Sequence, residues 1–409
     1  GGASAERGEK ITLGKLYKVH NGFSKGRQFF GSGYPFLSFS TVFNNWFLPE
    51  TLHDLVQSSE SERESYSILR GDIFITRTSE TMDELGMSSV ALKDYPNATY
   101  NGFTKRLRPI NNQCILPEFI GYYLRCNEFR KQFVAFSTMT TRASLRNEDL
   151  LSIAVPVPPI TIQRRIADIL SAYDGLIENN RKQIKLLEEA AQRLYKEWFV
   201  DLHFPGYEQT KIVDGVPEGW GKKSISSISS VLRRGISPKY NDQGIYTVIN
   251  QKCIRQTVVS FDEARKQEKI YSEELNLQDS DTVICSTGAG TLGRVGQVFG
   301  NYNNTTFDSH VTLIRAKKEI GKQYLFQSLK FNQSYFTDMG KGSTNQLELS
   351  RETIQNLAVF IPTKDIINRF ELLAQALHDR ITLLSNEIIR LQESRDRLLP
   401  KLMSGEMKI

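Results

Sequence analysis

Cysteine is scarce in this chain. Cys114, Cys126, Cys253 and Cys285 are the only four in 409 residues, and none belongs to a C-x-x-C pair. Five histidines are scattered as widely. That spacing argues against a disulfide scaffold and a zinc site, and it fits a reducing cytoplasm. Long apolar runs are missing too: none approaches the roughly 18 residues that span a bilayer. Residues 1–8 carry no apolar signal region. With residues 9 and 10 they read as a tail or tag remnant. Catalytic signatures are equally absent. The chain has no P-loop, no G-x-S-x-G, no H-E-x-x-H and no N/D-P-P-Y/F of an amino-methyltransferase. No convincing nuclease set of paired carboxylates and lysine stands out. No catalytic residue and no metal ligand is assigned.

What is present is a foldable chain, 39% hydrophobic, with mean hydropathy −0.37, net charge +6 and pI about 8.9. Its length exceeds one ordinary core and fits two globules. The mild basicity permits a polyanionic partner without demanding one. A long amphipathic segment occurs twice, at 162–199 and 366–403. In the first, apolar or small residues fall at Ile162, Ile166, Ile169, Tyr173, Ile177, Ile184, Leu187, Ala191, Leu194 and Trp198. Adding 204 leads to Ile366, Phe370, Leu373, Leu377, Ile381, Ile388, Leu391, Leu398 and Leu402, with no gap. Steps of three and four place these side chains on one helix face. About 38 residues at 1.5 Å each rise about 57 Å, so each rod needs a mate, and the other rod is the obvious one. A step of four, four at Ile169, Tyr173 and Ile177 is a stutter that locally unwinds a supercoil. Asn180 stands where the other copy has Leu384, and Ala191 where it has Arg395. A polar residue in a seam can set register at a cost in stability.

Each rod follows a region of roughly 150 residues with strand-like runs between turn signals. In the first globule, 34–40 reads as extended, 69–78 as a turn and strand, 103–109 as a strand, and 117–136 as a helix. Pro156, Pro158 and Pro159 end it. The second globule repeats this plan loosely. Residues 277–287 answer 69–78, Leu292-Gly293 answers Leu85-Gly86, 311–315 answers 104–108, and 324–329 answers 119–124. The tail of each globule repeats without gaps: Leu145, Glu148, Leu150 and Pro158 match Leu349, Glu352, Ile354 and Pro362. The divisions are a tail (1–10), a globule (11–158), a central helix (159–201), a connector (202–220), a second globule (221–362), a second helix (363–403) and a tail (404–409). Rods in register with globules alike only in plan suggest one shared task and two different ones.

Gly288-Ala289-Gly290-Thr291-Leu292-Gly293 fits G-x-G-x-x-G, but alternating, glycine-rich sequence follows where a dinucleotide site needs a helix. It reads as a tight hairpin. The run 262–266 (DEARK) reads as a solvated helix face. Polar and basic loop residues carry the binding hypothesis, because arginine, lysine, asparagine and glutamine hold phosphates and read base edges. In the first globule these are Lys25, Arg27, Asn44, Asn45, Arg77, Lys105, Arg106 and Arg142. In the second they are Arg233, Arg234, Lys239, Asn250, Gln251, Lys252, Arg255, Arg294, Lys341, Asn345 and Gln346. Any one of them alone is ordinary surface charge. Their recurrence at matching places, such as 138–142 and 340–344 just before the rods, favours binding.

The chain resembles the DNA-specificity subunit of type I restriction–modification systems. The likeness rests on the globule–rod duplication, the proline lead-ins (150–158 and 354–362), the rod end Leu194-Tyr195-Lys196-Glu197-Trp198-Phe199 and the Val216-Pro217-Glu218-Gly219-Trp220 start of the second globule. It implies an α+β fold of two similar target-recognition domains. It also implies two long helices forming an intramolecular antiparallel coiled coil with pseudo-two-fold symmetry. Each globule would read one half of a bipartite, asymmetric site on double-stranded DNA. The helices would pack on each other, set the spacer and dock two modification (methyltransferase) subunits, with Ile166, Tyr173, Ile184, Leu187, Leu194, Trp198, Phe370, Leu377, Ile388, Leu391 and Leu398 as the coiled-coil and partner-binding residues. No cofactor belongs to the chain itself. S-adenosylmethionine, used to methylate adenine, would belong to the modification subunits; ATP and Mg would belong to two restriction subunits where present. The alternatives are a protein-interaction scaffold without DNA specificity and a stand-alone DNA-modifying enzyme, the latter disfavoured by the missing motifs.

Overall fold

The computed structural model describes residues 8–79, 85–111, 113–135, 138–139, 143–144, 146–288, 290–340, 347–407 and 409. Two 40-residue helices dominate it: a central helix, Ile160–Phe199, and a C-terminal helix, Lys364–Met403. Their bounds differ by 204 at both ends, the offset of the apolar stripes. The chain forms two compact units. One holds residues 1–178 and 388–409, the other 179–387. Each unit therefore contains one globule and half of each long helix.

Within the first unit Ile166 and Leu170 share a core with Leu399 and Leu402, and Asp174 pairs with Arg395 at 2.6 Å. Rising numbers on one helix meet falling numbers on the other, so the halves run antiparallel. In the second unit Trp198 and Phe199 meet Phe370, with ring centroids 6.0 and 5.0 Å apart. The globules pack on these pairs. Phe119, Tyr123 and Phe133 join the first core, and Tyr324, Leu325 and Phe336 the second. Among the described residues no helix is long and apolar enough to cross a membrane.

The two globules share one strand framework. The first has a four-stranded antiparallel sheet ordered Tyr17–Asn21, Thr104–Pro109, Ile73–Thr76, Ser88–Val90. The second has the same order in Ser229–Arg234, Val311–Ala316, Thr282–Cys285, Val295–Gln297. A smaller sheet also recurs. Strand Phe30–Leu37 runs parallel to Thr99–Tyr100 and antiparallel to Leu55–Val56. Tyr246–Ile249 makes the same pairings with Thr305–Phe307 and Arg265–Gln267. A two-stranded ladder closes each globule: Glu9–Thr12 with Ala154–Val157, and Gly221–Ser224 with Ala358–Ile361. The first of these begins at Glu9, inside the stretch expected to be tail.

A buried carboxylate buckles each framework. Asp72 accepts the Leu69 N–H at 2.8 Å and two N–H groups of Arg108 at 2.8 and 2.6 Å. Asp281 accepts the Gln278 N–H at 2.8 Å and two N–H groups of Arg315, both at 2.7 Å. The turn preceding each apolar strand is thus clamped to the neighbouring strand. Gly86 and Gly293 hold φ of +71° and +77°. A Cβ there would run into the Phe133 ring or into Thr337, so the hairpin closes against a helix only with glycine.

Three local expectations change. The single helix over 117–136 is two helices, Pro117–Tyr123 and Asn127–Ala135. At the break Arg125 donates to the carbonyls of Ser88, Val42, Phe43 and Asn45 at 2.7–3.1 Å, which redirects the chain. Phe39 and Ser40 leave the extended run, because the Ser38 hydroxyl caps the helix Phe39–Asn44. The 262–266 charge run is no helix face. Its end enters strand Arg265–Gln267, paired with Tyr246–Ile249, where backbone bonding outweighs helix propensity. The glycine-rich segment does form a hairpin, joining Thr282–Cys285 to Val295–Gln297.

The departures from the 204 repeat alter packing. In the first unit Arg395 bonds Asp174, and its guanidinium lies 4.6 Å from the Trp46 ring centroid. Tyr122 donates to the same Asp174 at 2.6 Å. In the second unit Ala191 replaces the arginine, His378 the aspartate and Gln327 the tyrosine. A cavity of about 450 Å³ opens there, lined by these three with Phe299, Phe326 and Leu377. His378 stacks on Phe299 at 4.2 Å, with the rings 6° apart.

Candidate nucleic-acid interface

The loops that could face a duplex hang on an equivalent corner in each globule. In the second, the Asp308 N–H donates to Ile249 O at 2.9 Å. The Asp308 carboxylate accepts the His310 N–H at 2.9 Å. In the first, the Asn101 N–H donates to Leu37 O at 3.0 Å, and the Asn101 side-chain oxygen accepts the Phe103 N–H at 2.6 Å. The backbones match, but the side chains do not. One corner presents Asp308 and His310 beside Asn250, Gln251 and Lys252. The other presents Asn101 and an exposed Phe103 beside Ser38, Phe39 and Ser40.

The corner of the second globule opens into a polar cleft of about 440 Å³. Gln251, Lys252, Asp262, Arg265, Asp308 and His310 are among its lining residues. Asp308 is only 2% exposed, and burial pushes its carboxyl up from the ordinary range. His310 shares a 2.6 Å hydrogen bond with the Thr287 hydroxyl. The Arg265 guanidinium lies over Tyr240, 3.6 Å from the ring centroid. Asn250 is committed to the turn: it donates to Glu263 O and accepts the Lys252 N–H, both at 2.8 Å. Gln251 makes no side-chain hydrogen bond among the described residues, so its amide is available. Asp308, His310 and Tyr240 escaped the sequence reading, which looked for basic and amide side chains, and Asp262 entered it only as part of a solvated charge run. The alignment of 311–315 with 104–108 was the available signal, since the corner immediately precedes that strand.

Several expected DNA contacts prove to be internally engaged. Lys25 bonds Gln57 O at 2.8 Å and Glu62 at 2.7 Å, and it lies over Phe23 and Phe29. Lys105 is buried on its strand and bonds Asn147; burial, then the neighbouring Arg77 charge, lowers its pKa. Arg106 is also buried and bonds Ser67 O at 2.7 Å. Asn44 and Asn45 bond carbonyls of their own helix, Ser40 O and Thr41 O, at 2.8 Å. Lys105 and Arg106 point to opposite faces of an interior strand that is covered on both sides, so both are buried, which their polarity alone does not reveal. Arg233, Arg234, Lys239 and Arg255 pair with Glu274, Glu348, Glu268 and Glu263. Exposed pairs of this kind are weak and can exchange for phosphate.

Arg27, Arg77, Lys252 and Arg294 have no carboxylate partner among the described residues. Arg27 and Lys252 are exposed, while Arg77 and Arg294 are half-buried. Arg77 directly follows strand Ile73–Thr76, and its Nε is buried without a partner among the described residues. Arg142, Lys341, Asn345 and Gln346 lie outside the described residues.

On the helices, Ile166, Trp198 and Phe370 are consumed by the chain's own cores. Tyr173, Ile184, Leu187, Leu194, Leu377, Ile388, Leu391 and Leu398 are half-buried. The large apolar residues left open on the helices are Ile160, Leu176, Leu186, Leu372, Leu373, Leu383 and Ile389. Apart from Leu373, which is 47% exposed, the stripe faces inward because burying it stabilises the unit, at about 25 cal/mol per Å².

Comparison with known proteins bears on this geometry. A domain family described as "Type I restriction modification DNA specificity domain" matches residues 8–189 and 217–389. The MjaIX type I restriction enzyme specificity subunit of Methanocaldococcus jannaschii is 25% identical over 333 residues, covering 78% of this chain and 75% of that protein. The HindI specificity subunit of Haemophilus influenzae is 25% identical over 463 residues, covering 93% of this chain and 96% of that protein. The crystal structure of the type I restriction–modification system S subunit from M. genitalium shares the fold. It aligns over 96% of this chain and 95% of its own, with TM-score 0.54 and 14% identity.

Proposed function

Because the chain belongs to the type I restriction–modification DNA specificity family, we propose that each of its globules reads one half of a bipartite, asymmetric DNA site. The observation that carries this reading is the repeated framework with unlike corners. One backbone presents two chemically different sets of side chains, as an asymmetric target requires. The chain works without a catalytic group of its own, in the cytoplasm. Two modification subunits dock on the long helices, through the open leucines and Ile389, and methylate adenine using S-adenosylmethionine that they bind. Restriction subunits, where present, bring ATP and Mg. Equivalent helix halves in both units suit two copies of one partner. The helices set the spacer between half-sites.

Electrophoretic shift of a duplex over a salt series tests the DNA reading. Each phosphate contact lowers the slope of log K against log salt by about 0.9. A flat response refutes it. Methyl transfer by the purified chain alone would overturn the non-catalytic assignment.

A further inference from the structure

We propose that the cleft of the second globule is a base-reading pocket. In it Asp308 and Gln251 select, at one position of that half-site, a base that presents an exocyclic amino group in the major groove. This rests on the function proposed above and adds the chemistry of one position.

A cleft that holds only phosphate needs cations. This one places the carboxylates of Asp262 and Asp308 beside Lys252 and Arg265. A phosphate entering it meets repulsion from Asp308, which burial isolates from solvent. A base edge does not. Carboxylates accept from the amino group of cytosine, and glutamine matches the N6/N7 edge of adenine. Asp308 keeps one oxygen on the His310 N–H; the other has no partner among the described residues and is available to an incoming N–H. Lys252, exposed at the rim, suits a flanking phosphate. The equivalent corner of the first globule carries an amide, Asn101, where the second carries the carboxylate of Asp308. Its exposed Phe103 suits apolar contact, such as a thymine methyl, so the half-sites differ in chemistry at this position.

The first globule also supplies the test. Asparagine already occupies the Asp308 position there, in Asn101, and accepts the same i+2 N–H. Asp308→Asn therefore preserves the turn and changes only the chemistry presented. The experiment selects from a randomised duplex library with the full-length chain in complex with its methyltransferase subunits, followed by sequencing. Wild type is expected to prefer adenine or cytosine on one strand at one position of one half-site. Asp308→Asn should reduce that preference by roughly 10–100-fold, the range of one good base contact, and leave the other half-site unchanged. Lys252→Ala should instead weaken all sequences alike and flatten the salt slope by about 1. Unaltered base preference in a folded Asp308→Asn protein overturns this proposal while the DNA reading stands. A wild-type complex that selects no sequence overturns both.

Discussion

Replacing Arg315 by methionine strips two of the three hydrogen bonds from a carboxylate that is 2% exposed. It also frees the carbonyls of Glu274 and Asn276, which Arg315 holds at 3.1 and 2.9 Å. An isosteric apolar side chain leaves Asp281 charged and uncompensated. Breaking one partner of a buried pair costs about 3–5 kcal/mol. For a unit of this size that lowers Tm by about 6–20 °C. Burial already raises the Asp281 pKa, outweighing the pull of Arg315. A carboxyl raised in the fold contributes fully below its unfolded pKa, about 3.9, and loses stability as pH rises through the folded value. Without Arg315 the shift grows. The deficit of Arg315→Met should therefore be large at pH 7 and shrink toward pH 4, where the neutral acid is cheaper to bury. Hydrogen exchange on peptides of residues 179–387, with melts at both pH values, measures this. Arg108→Met should produce the matching defect in the first globule. A variant within about 0.5 kcal/mol of wild type at pH 7, or a deficit independent of pH, would refute the buckle as a stabilising device.

Asn180→Leu should raise stability by about 1–3 kcal/mol, because its buried Nδ2 lacks a partner and its counterpart, Leu384, is apolar and buried; a melt that does not rise shows that the amide sets register instead. Arg77→Ala should weaken one half-site and spare the other, as read by binding to duplexes mutated in each half; equal loss at both halves would show that the globules do not read independently. One extra helical turn inserted after residues 178 and 387 should lengthen the recognised spacer without changing either half-site; methylome sequencing of a host expressing the variant with its partner reads the outcome, and an unchanged spacer removes the ruler role.

The rods were legible from their periodicity alone. A helix stripe depends on local spacing, and the 204 offset survives in both 40-residue helices. Each unit also uses the mate that the length argument demanded. The duplication of the globules was legible in outline, because apolar strands and turn residues recur even where loops drift. The break at Arg125 was not, since it is made by carbonyls some 37 to 83 residues distant in sequence.

The candidate site divides the same way. Composition and position brought Lys25, Lys105 and Arg234 forward as cations. Only the tertiary structure disclosed their partners, Glu62, Asn147 and Glu348, which lie 37, 42 and 114 residues away. A basic residue in a loop looks the same in sequence whether its charge is free or spent. The reverse omission hid Asp308 and His310: a search for basic and amide side chains passes over them, and only the fold puts them in one cleft with Gln251. By itself the sequence determined two globules, two rods and their repeat, because these follow from local periodicity. Which side chains remain free to read a duplex was decided by long-range packing, where a strand covered on both faces buries some charges, ion pairing occupies others, and a shared turn presents the rest.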